Sequence, residues 1–297
     1  MKREGQLRRI VLSPLFSLLL LGGCSNLVLF EPGGPIGDAE RTLIVTAFLL
    51  MLIVVIPVLV MTLWFPLKYR DSNTKAIYTP KWAYSGRLDF AVWMVPIAII
   101  MVLGYLTWTE THRLDPYRPL KPDVKPINIQ AVALDWKWLF IYPDFNIAAV
   151  NELVVPVEIP LSFRITSDTV MNSFFIPQLG SQMYAMAGME SRLHLLADKA
   201  GVYFGQTQQF SGSGYAYMQF RAKAVSQSEF QGWLQEVGQS ADKLDPARFQ
   251  VLQKPSIAAP VTYFSTVEPG LFDQIIRQYM PTSMKPAALK GYQAAWQ

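Results

Sequence analysis

The stretch Gly205-Gln206-Thr207-Gln208-Gln209-Phe210-Ser211-Gly212-Ser213-Gly214-Tyr215-Ala216-Tyr217-Met218 decides how this chain of 297 residues is read. Strand-like runs flank it. Gly-Val-Tyr-Phe-Gly at 201–205 leads in, and Tyr-Met-Gln-Phe-Arg-Ala-Lys at 217–223 leads out with apolar and polar residues alternating, as a half-buried strand requires. The loop between them is rich in Gly and Ser, which lets its backbone reach positive φ. A partner segment, Val170-Met-Asn-Ser-Phe-Phe-Ile-Pro177, lies upstream.

Asn172-Ser-Phe-Phe-Ile-Pro177, followed by Gly205-Gln206 and the Gly-rich loop, resembles subunit II of the haem-copper respiratory oxidases. A second run, Asp135-Trp-Lys-Trp-Leu-Phe-Ile-Tyr-Pro-Asp144, matches the same family. In the cytochrome c-oxidising members the first segment supplies a His. The loop supplies two Cys four apart, a Glu between them, a second His and a Met, and together these hold a two-copper centre. Laid on that pattern, the first His position is Asn172, the Cys positions are Thr207 and Ser211, the Glu position is Gln209 and the second His position is Tyr215. Met218 alone is kept. Such substitutions resemble the quinol-oxidising branch, the bo-type ubiquinol oxidases. Ligand chemistry agrees independently: a thiolate-bridged copper pair needs soft sulfur and imidazole donors, and the chain has one Cys and two His. No metal site is expected in this chain.

Half of the residues are hydrophobic (51%) and the mean hydropathy is +0.21, an excess that has to sit in membrane. The net charge is +4, but the basic residues are scattered and form no aromatic-interleaved face, so nucleic acid is not an expected partner. One Cys rules out an internal disulfide framework.

Residues 1–23 read as a signal peptide, with Lys2, Arg3, Arg8 and Arg9 ahead of an apolar core and Leu21-Gly22-Gly23-Cys24 as the cleavage site. That site resembles a bacterial lipobox, which implies a lipidated Cys24. A segment over 24–41 leads to transmembrane helix 1 at 42–67, where residues 43–67 carry no charge and reach across about 30 Å of hydrocarbon. Pro57 should kink it. Transmembrane helix 2 spans 89–110, framed by Asp89 and Glu110. The intervening loop, 68–88, carries Lys68, Arg70, Lys75, Lys81 and Arg87, which places it in the cytoplasm and both mature termini outside.

Prolines at 116, 119, 122 and 126 make 111–126 a stiff linker. From Ile127 the period changes to two, and short strands broken by Pro and Gly indicate a β-sandwich. The resemblance makes it cupredoxin-like, over 127–225. Residues 226–297 read as a helical extension, with a capping box at Ser226-Gln-Ser-Glu229, an N-cap and first-turn Pro at Asp245-Pro246, and an amphipathic candidate at 269–280. Polar faces throughout suggest that this region lies on the surface.

Trp136, Trp138, Phe140 and Tyr142 read as core and subunit-interface residues. His112 and His194 share no metal-ligand spacing and read as satisfied polar groups, and Met218 reads as core. Asp89, four residues before Trp93, resembles the family's carboxylate at the start of the second helix. That residue is implicated in proton entrance to an uptake channel, so Asp89 is the candidate here.

The expected architecture is therefore a two-helix transmembrane hairpin, a cupredoxin-like sandwich and a C-terminal helical extension, lipid-anchored in a bacterial inner membrane with the large domain in the periplasm. The resemblance implies subunit II of a proton-translocating ubiquinol oxidase, without a redox centre or catalytic residue of its own. Haems and one copper are expected in the catalytic subunit I, its partner alongside small membrane subunits. A copper-bearing acceptor from cytochrome c is excluded by the ligand count. A stand-alone membrane-anchored cupredoxin-like scaffold lipoprotein is the alternative.

Overall fold

The computed structural model describes residues 27–75, 77, 79 and 81–280. Cys24, the signal segment and residues 281–297 lie outside the described residues.

Two long helices come first, α1 (Pro35–Lys68) and α2 (Gly86–Arg113). Both are longer than the uncharged spans read from hydropathy, because each carries a polar turn or more beyond its apolar run. Pro35 occupies the first turn of α1, where its missing N–H costs nothing, and the helix continues through Pro57 and Pro66. Their apolar side chains face outward: Phe48, Leu59, Leu63, Phe90, Val92 and Ile100 are all exposed. Both helices are long and apolar enough to cross a membrane.

After the proline-rich segment the chain forms β1 (Ile127–Leu134), β2 (Lys137–Tyr142), β3 (Ile147–Val150), β4 (Glu152–Pro156), β5 (Leu161–Ser167), β6 (Asn172–Phe174), β7 (Met183–Ala185), β8 (Ser191–Leu195), β9 (Gly201–Gln206) and β10 (Gln219–Val225). The extension adds α3 (Gln227–Gly238), α4 (Pro246–Gln253), β11 (Thr262–Phe264) and α5 (Leu271–Tyr279). The larger sheet has the order β11-β3-β2-β1-β5-β8 and faces a smaller one, β4-β10-β9, with β6 and β7 forming a separate hairpin. Two pairings are parallel, β1 with β5 and β4 with β10. These crossovers give the cupredoxin-like sandwich. Between the sheets lies an aromatic core in which Trp138 meets Phe174 edge-on at 5.4 Å and Phe174 stacks on Phe220 at 5.3 Å.

The extension corrects one reading. Its helices keep exposed polar faces, among them Gln231, Glu236, Gln274 and Arg277, but their apolar faces are anchored more deeply than a surface-lying region suggests: Leu271, Phe272, Ile275 and Ile276 of α5 are buried, as are Phe249 and Phe264. They pack on the outer face of the larger sheet against Val132, Leu134, Leu139 and Ile141, forming a second core. The signal was present in β2, where all six residues are apolar or buried, as in a strand covered on both faces. Arg164 on β5 ties α5 down, donating to Glu190 and to Asp273 at 2.6 and 2.9 Å. Local capping follows the sequence reading. Ser226 and Glu229 exchange the two bonds of a capping box, and Asp245 Oδ1 accepts the Arg248 N–H at 2.7 Å.

The segment before α1 is docked rather than free. Gly33 N–H donates to Gln178 O at 2.8 Å, and Gly33 O accepts from Asp198 N–H at 2.8 Å. Ser181 Oγ donates to the Glu40 carboxylate, and Ile36 enters the sandwich core. A Cβ on Gly34 would overlap the Leu196 carbonyl, and one on Gly37 would crowd the Gln178 carbonyl. The small residues of Glu31-Pro-Gly-Gly-Pro-Ile-Gly37 thus permit a backbone-to-backbone seam between the sandwich and the first helix.

Candidate functional site

The loop from Thr207 to Met218 closes one end of the sandwich, positioned by β9 and β10 on either side and by β6 beneath it. Gln206 N–H donates to Phe175 O at 2.9 Å, bringing β6 alongside the end of β9. Asn172, Thr207 and Met218 are thereby buried in one neighbourhood, at 1%, 5% and 1% exposure. Thr207 N–H reaches Met218 O at 3.4 Å. Gln209 is half-buried, and Tyr215 opens a 3-10 turn and packs on Phe210 with ring centroids 5.7 Å apart.

Side chains and main chain hold this loop together. Thr207 Oγ1 accepts from Ser173 N–H at 3.2 Å, and Ser173 Oγ accepts from Gln208 N–H at 2.7 Å. Asn172 Nδ2 donates to Val170 O at 3.0 Å. Trp136 Nε1–H donates to Ser211 O at 3.1 Å. The loop's glycines serve two purposes. Gly212 has φ +111°, as the sequence suggested, whereas a Cβ on Gly214 would overlap the Trp136 ring and one on Gly205 the Phe220 ring. Trp136 itself sits at φ 62° in the two-residue turn between β1 and β2, held there by its contact with the loop.

The side chains at positions 172, 207, 209, 211, 215 and 218 offer two amides, two hydroxyls, a phenol and a thioether. They do not fit a thiolate-bridged copper pair, which needs thiolate and imidazole. Among the described residues no group of three or more His, Cys, Asp or Glu could hold a metal ion. His112 Nδ1 pairs with Trp108 O at 2.7 Å and His194 Nδ1 with Pro116 O at 3.1 Å, so both rings have polar partners in separate places. Trp138, Phe140 and Tyr142 are core residues, while Trp136 is the half-buried clamp on the loop.

Two charged groups near this end were missed by sequence reasoning. Asp168 is 3% exposed; its Oδ2 accepts from Gln253 at 2.9 Å and its Oδ1 has no hydrogen-bond partner. Burial pushes its carboxyl above the usual range, with the neighbouring charge of Asp135 adding to the shift and the Gln253 bond opposing it. Lys137 is 1% exposed and donates to the carbonyls of Asp135 and Lys254, and burial holds its ammonium below the ordinary lysine range. Nothing in the local pattern marks either as buried, since each depends on the extension covering it.

Asp89 lies in the first turn of α2, exposed, at the end of the hairpin opposite to the helix ends that join the sandwich. It is remote from the loop.

Fold and loop together define a membrane-anchored cupredoxin-like protein whose loop carries no thiolate or imidazole donor. The family model for the cytochrome c oxidase subunit II periplasmic domain matches residues 146–225, and the model for the COX aromatic-rich motif matches 239–283. The chain is 56% identical over 88% of its length, and 78% of the relative's, to the cytochrome bo(3) ubiquinol oxidase subunit 2 of Pseudomonas aeruginosa. It is 52% identical to that of Pseudomonas putida over 90% and 84% of the two chains, and 48% identical to the ubiquinol oxidase subunit 2 of Acetobacter aceti over 94% and 91%. The chain belongs to the ubiquinol oxidase subunit 2 family, within subunit II of the haem-copper oxidases.

Proposed function

We propose that this chain is subunit II of a proton-translocating terminal oxidase that takes electrons from ubiquinol and reduces oxygen to water. One observation carries the reading of its role: the loop that would accept electrons from a cytochrome offers hydroxyl, amide, phenol and thioether groups, which do not fit a thiolate-bridged copper pair. Electrons then have no centre in this chain on which to pause. Haems and one copper are assigned to subunit I, with which this chain and further small membrane subunits assemble.

The chain's own contribution is architectural. Its hairpin crosses the inner membrane with the basic 68–88 loop in the cytoplasm, and the seam at Gly33 and Gly34 holds the sandwich over the membrane on the periplasmic side. Exposed Val170, Met171, Phe210 and Tyr217 around the loop form an apolar cap suited to resting on a partner subunit. On the cytoplasmic side Asp89 is the candidate for proton entrance, a carboxylate that can exchange with bulk water and pass protons inward. Cys24 is the candidate lipid attachment, and an intact mass lacking the diacylglyceryl increment would refute it.

Oxygen uptake by the complex isolated through a tag on this chain tests the reading, driven in parallel by a ubiquinol analogue and by reduced cytochrome c. Uptake with quinol alone is expected. Uptake with cytochrome c alone would overturn the reading, and a haem-free isolate would favour the stand-alone scaffold.

A further inference from the structure

Where the hairpin meets the sandwich, a cavity of about 620 Å³ opens between the adjoining ends of α1 and α2 and the turn after β8. Such a volume suits a small ligand or the polar end of a larger one. Asp38, Glu110 and Asp198 line it together with Arg113 and Lys199. Leu43 and Leu106 also line it, each four or five residues farther along its helix from the sandwich, which is about 6–8 Å deeper toward the membrane. The cavity therefore grades from charged to apolar in the direction in which a bilayer does.

Its charges are incompletely matched. Glu110 meets Arg113 only at 3.6 Å through Oε1, and its Oε2 is buried with no hydrogen-bond partner. A buried carboxylate oxygen left without a donor is costly. Lys199 Nζ donates to Pro32 O at 3.2 Å and makes no carboxylate ion pair within 4 Å among the described residues. Asp38 pairs loosely with Arg41 at 3.9 Å. The site thus holds carboxylates whose nearest cations stand 3.6 and 3.9 Å away and, close by, a lysine with no carboxylate partner among the described residues.

We propose that this cavity binds the headgroup of a phosphatidylethanolamine, its ammonium on Glu110 and Asp38 and its phosphate on Lys199 and Arg113, with the acyl chains running past Leu43 and Leu106. A choline headgroup has no N–H to give the lining carboxylates. A purely anionic headgroup would face three carboxylates against two cations. The lipid would fill the angle between hairpin and sandwich, adding to the seam at Gly33 and Gly34. The inference rests on the hairpin crossing a bilayer and not on oxidase activity, so it can fail while quinol-driven oxygen uptake stands.

The test is photolabelling of the whole complex in nanodiscs with a phosphatidylethanolamine that carries a diazirine in its acyl chain, followed by peptide mapping. Labels are expected on the peptides containing Leu43 and Leu106, suppressed by excess dioleoylphosphatidylethanolamine but not by the corresponding phosphatidylcholine or phosphatidylglycerol. Glu110→Gln and, separately, Lys199→Gln should each lower the labelling about tenfold, the scale of one charge-assisted hydrogen bond, with haem content and turnover unchanged. Equal competition by phosphatidylcholine would mean ordinary boundary lipid and overturn the proposal. Equal displacement by a quinol analogue, or no label on either peptide because another subunit fills the cavity, would overturn it as well.

Discussion

Thr207 Oγ1 accepts the backbone N–H of Ser173 at 3.2 Å, and the hydroxyl of Ser173 in turn accepts the N–H of Gln208 at 2.7 Å. This reciprocal pair joins β6 to the loop. Two short polar side chains hold the segments together, and the aromatic core beneath supplies the rest of the loop's footing.

Thr207→Val keeps the shape of the side chain and removes the acceptor, leaving the Ser173 N–H buried and unpaired. The expected cost is about 1–3 kcal/mol, seen as a lower midpoint in thermal unfolding of the detergent-solubilised protein. An unchanged midpoint would show that the pair contributes nothing to the loop.

Gly34→Ala and Gly232→Ala should move stability in opposite directions. A methyl at 34 meets the backbone carbonyl of Leu196, which cannot rotate away, so the seam must open at about 1–3 kcal/mol. Gly232 is exposed inside α3 with nothing within 4 Å of an added Cβ, and alanine there should stabilise by about 0.5–1 kcal/mol. Thermal midpoints of the two variants measured side by side decide this.

Asp168 makes stability depend on pH. Its folded-state pKa is raised by burial, so between the unfolded and folded values the native state binds more protons, and its contribution falls as pH rises. It is fully present below about pH 3.9 and is lost as pH climbs through the raised value. Asp168→Asn removes the titration while keeping an oxygen for Gln253. The variant should be at least as stable as the parent at pH 7, with its advantage shrinking towards pH 4. Parallel curves across that range would contradict the assignment.

Asp89→Asn should slow quinol-driven turnover of the assembled oxidase on the order of tenfold while haem content stays at the parent level. Water can replace part of an exposed acid's contribution, which keeps the loss below the ~10²–10⁴ of an enclosed acid–base group. Asp89→Glu should retain turnover. Parent-level turnover in Asp89→Asn would end the proton-entrance reading.

Much of this protein is decided locally and can be read along the chain. Uncharged runs at 43–67 and 90–109 are long enough for helices that cross a membrane, alternation at 127–130 and 161–166 makes strands, and Ser226, Glu229, Asp245 and Pro246 start their helices through contacts three residues apart. The donor types at 172, 207, 209, 211, 215 and 218 likewise follow from residue identity alone, because copper chemistry depends on which atoms are available. Tertiary structure decided what covers what. Polar residues of the extension suggested a surface location, but its buried face is chosen by the apolar outer surface of β1 and β2, more than a hundred residues upstream. The need for Gly34 arises from Leu196, the clamp on the loop from Trp136, and the burial of Asp168 and Lys137 from Gln253 and Lys254. Hydropathy and capping act over one or two turns of chain, whereas each of these relationships exists only once distant segments have packed.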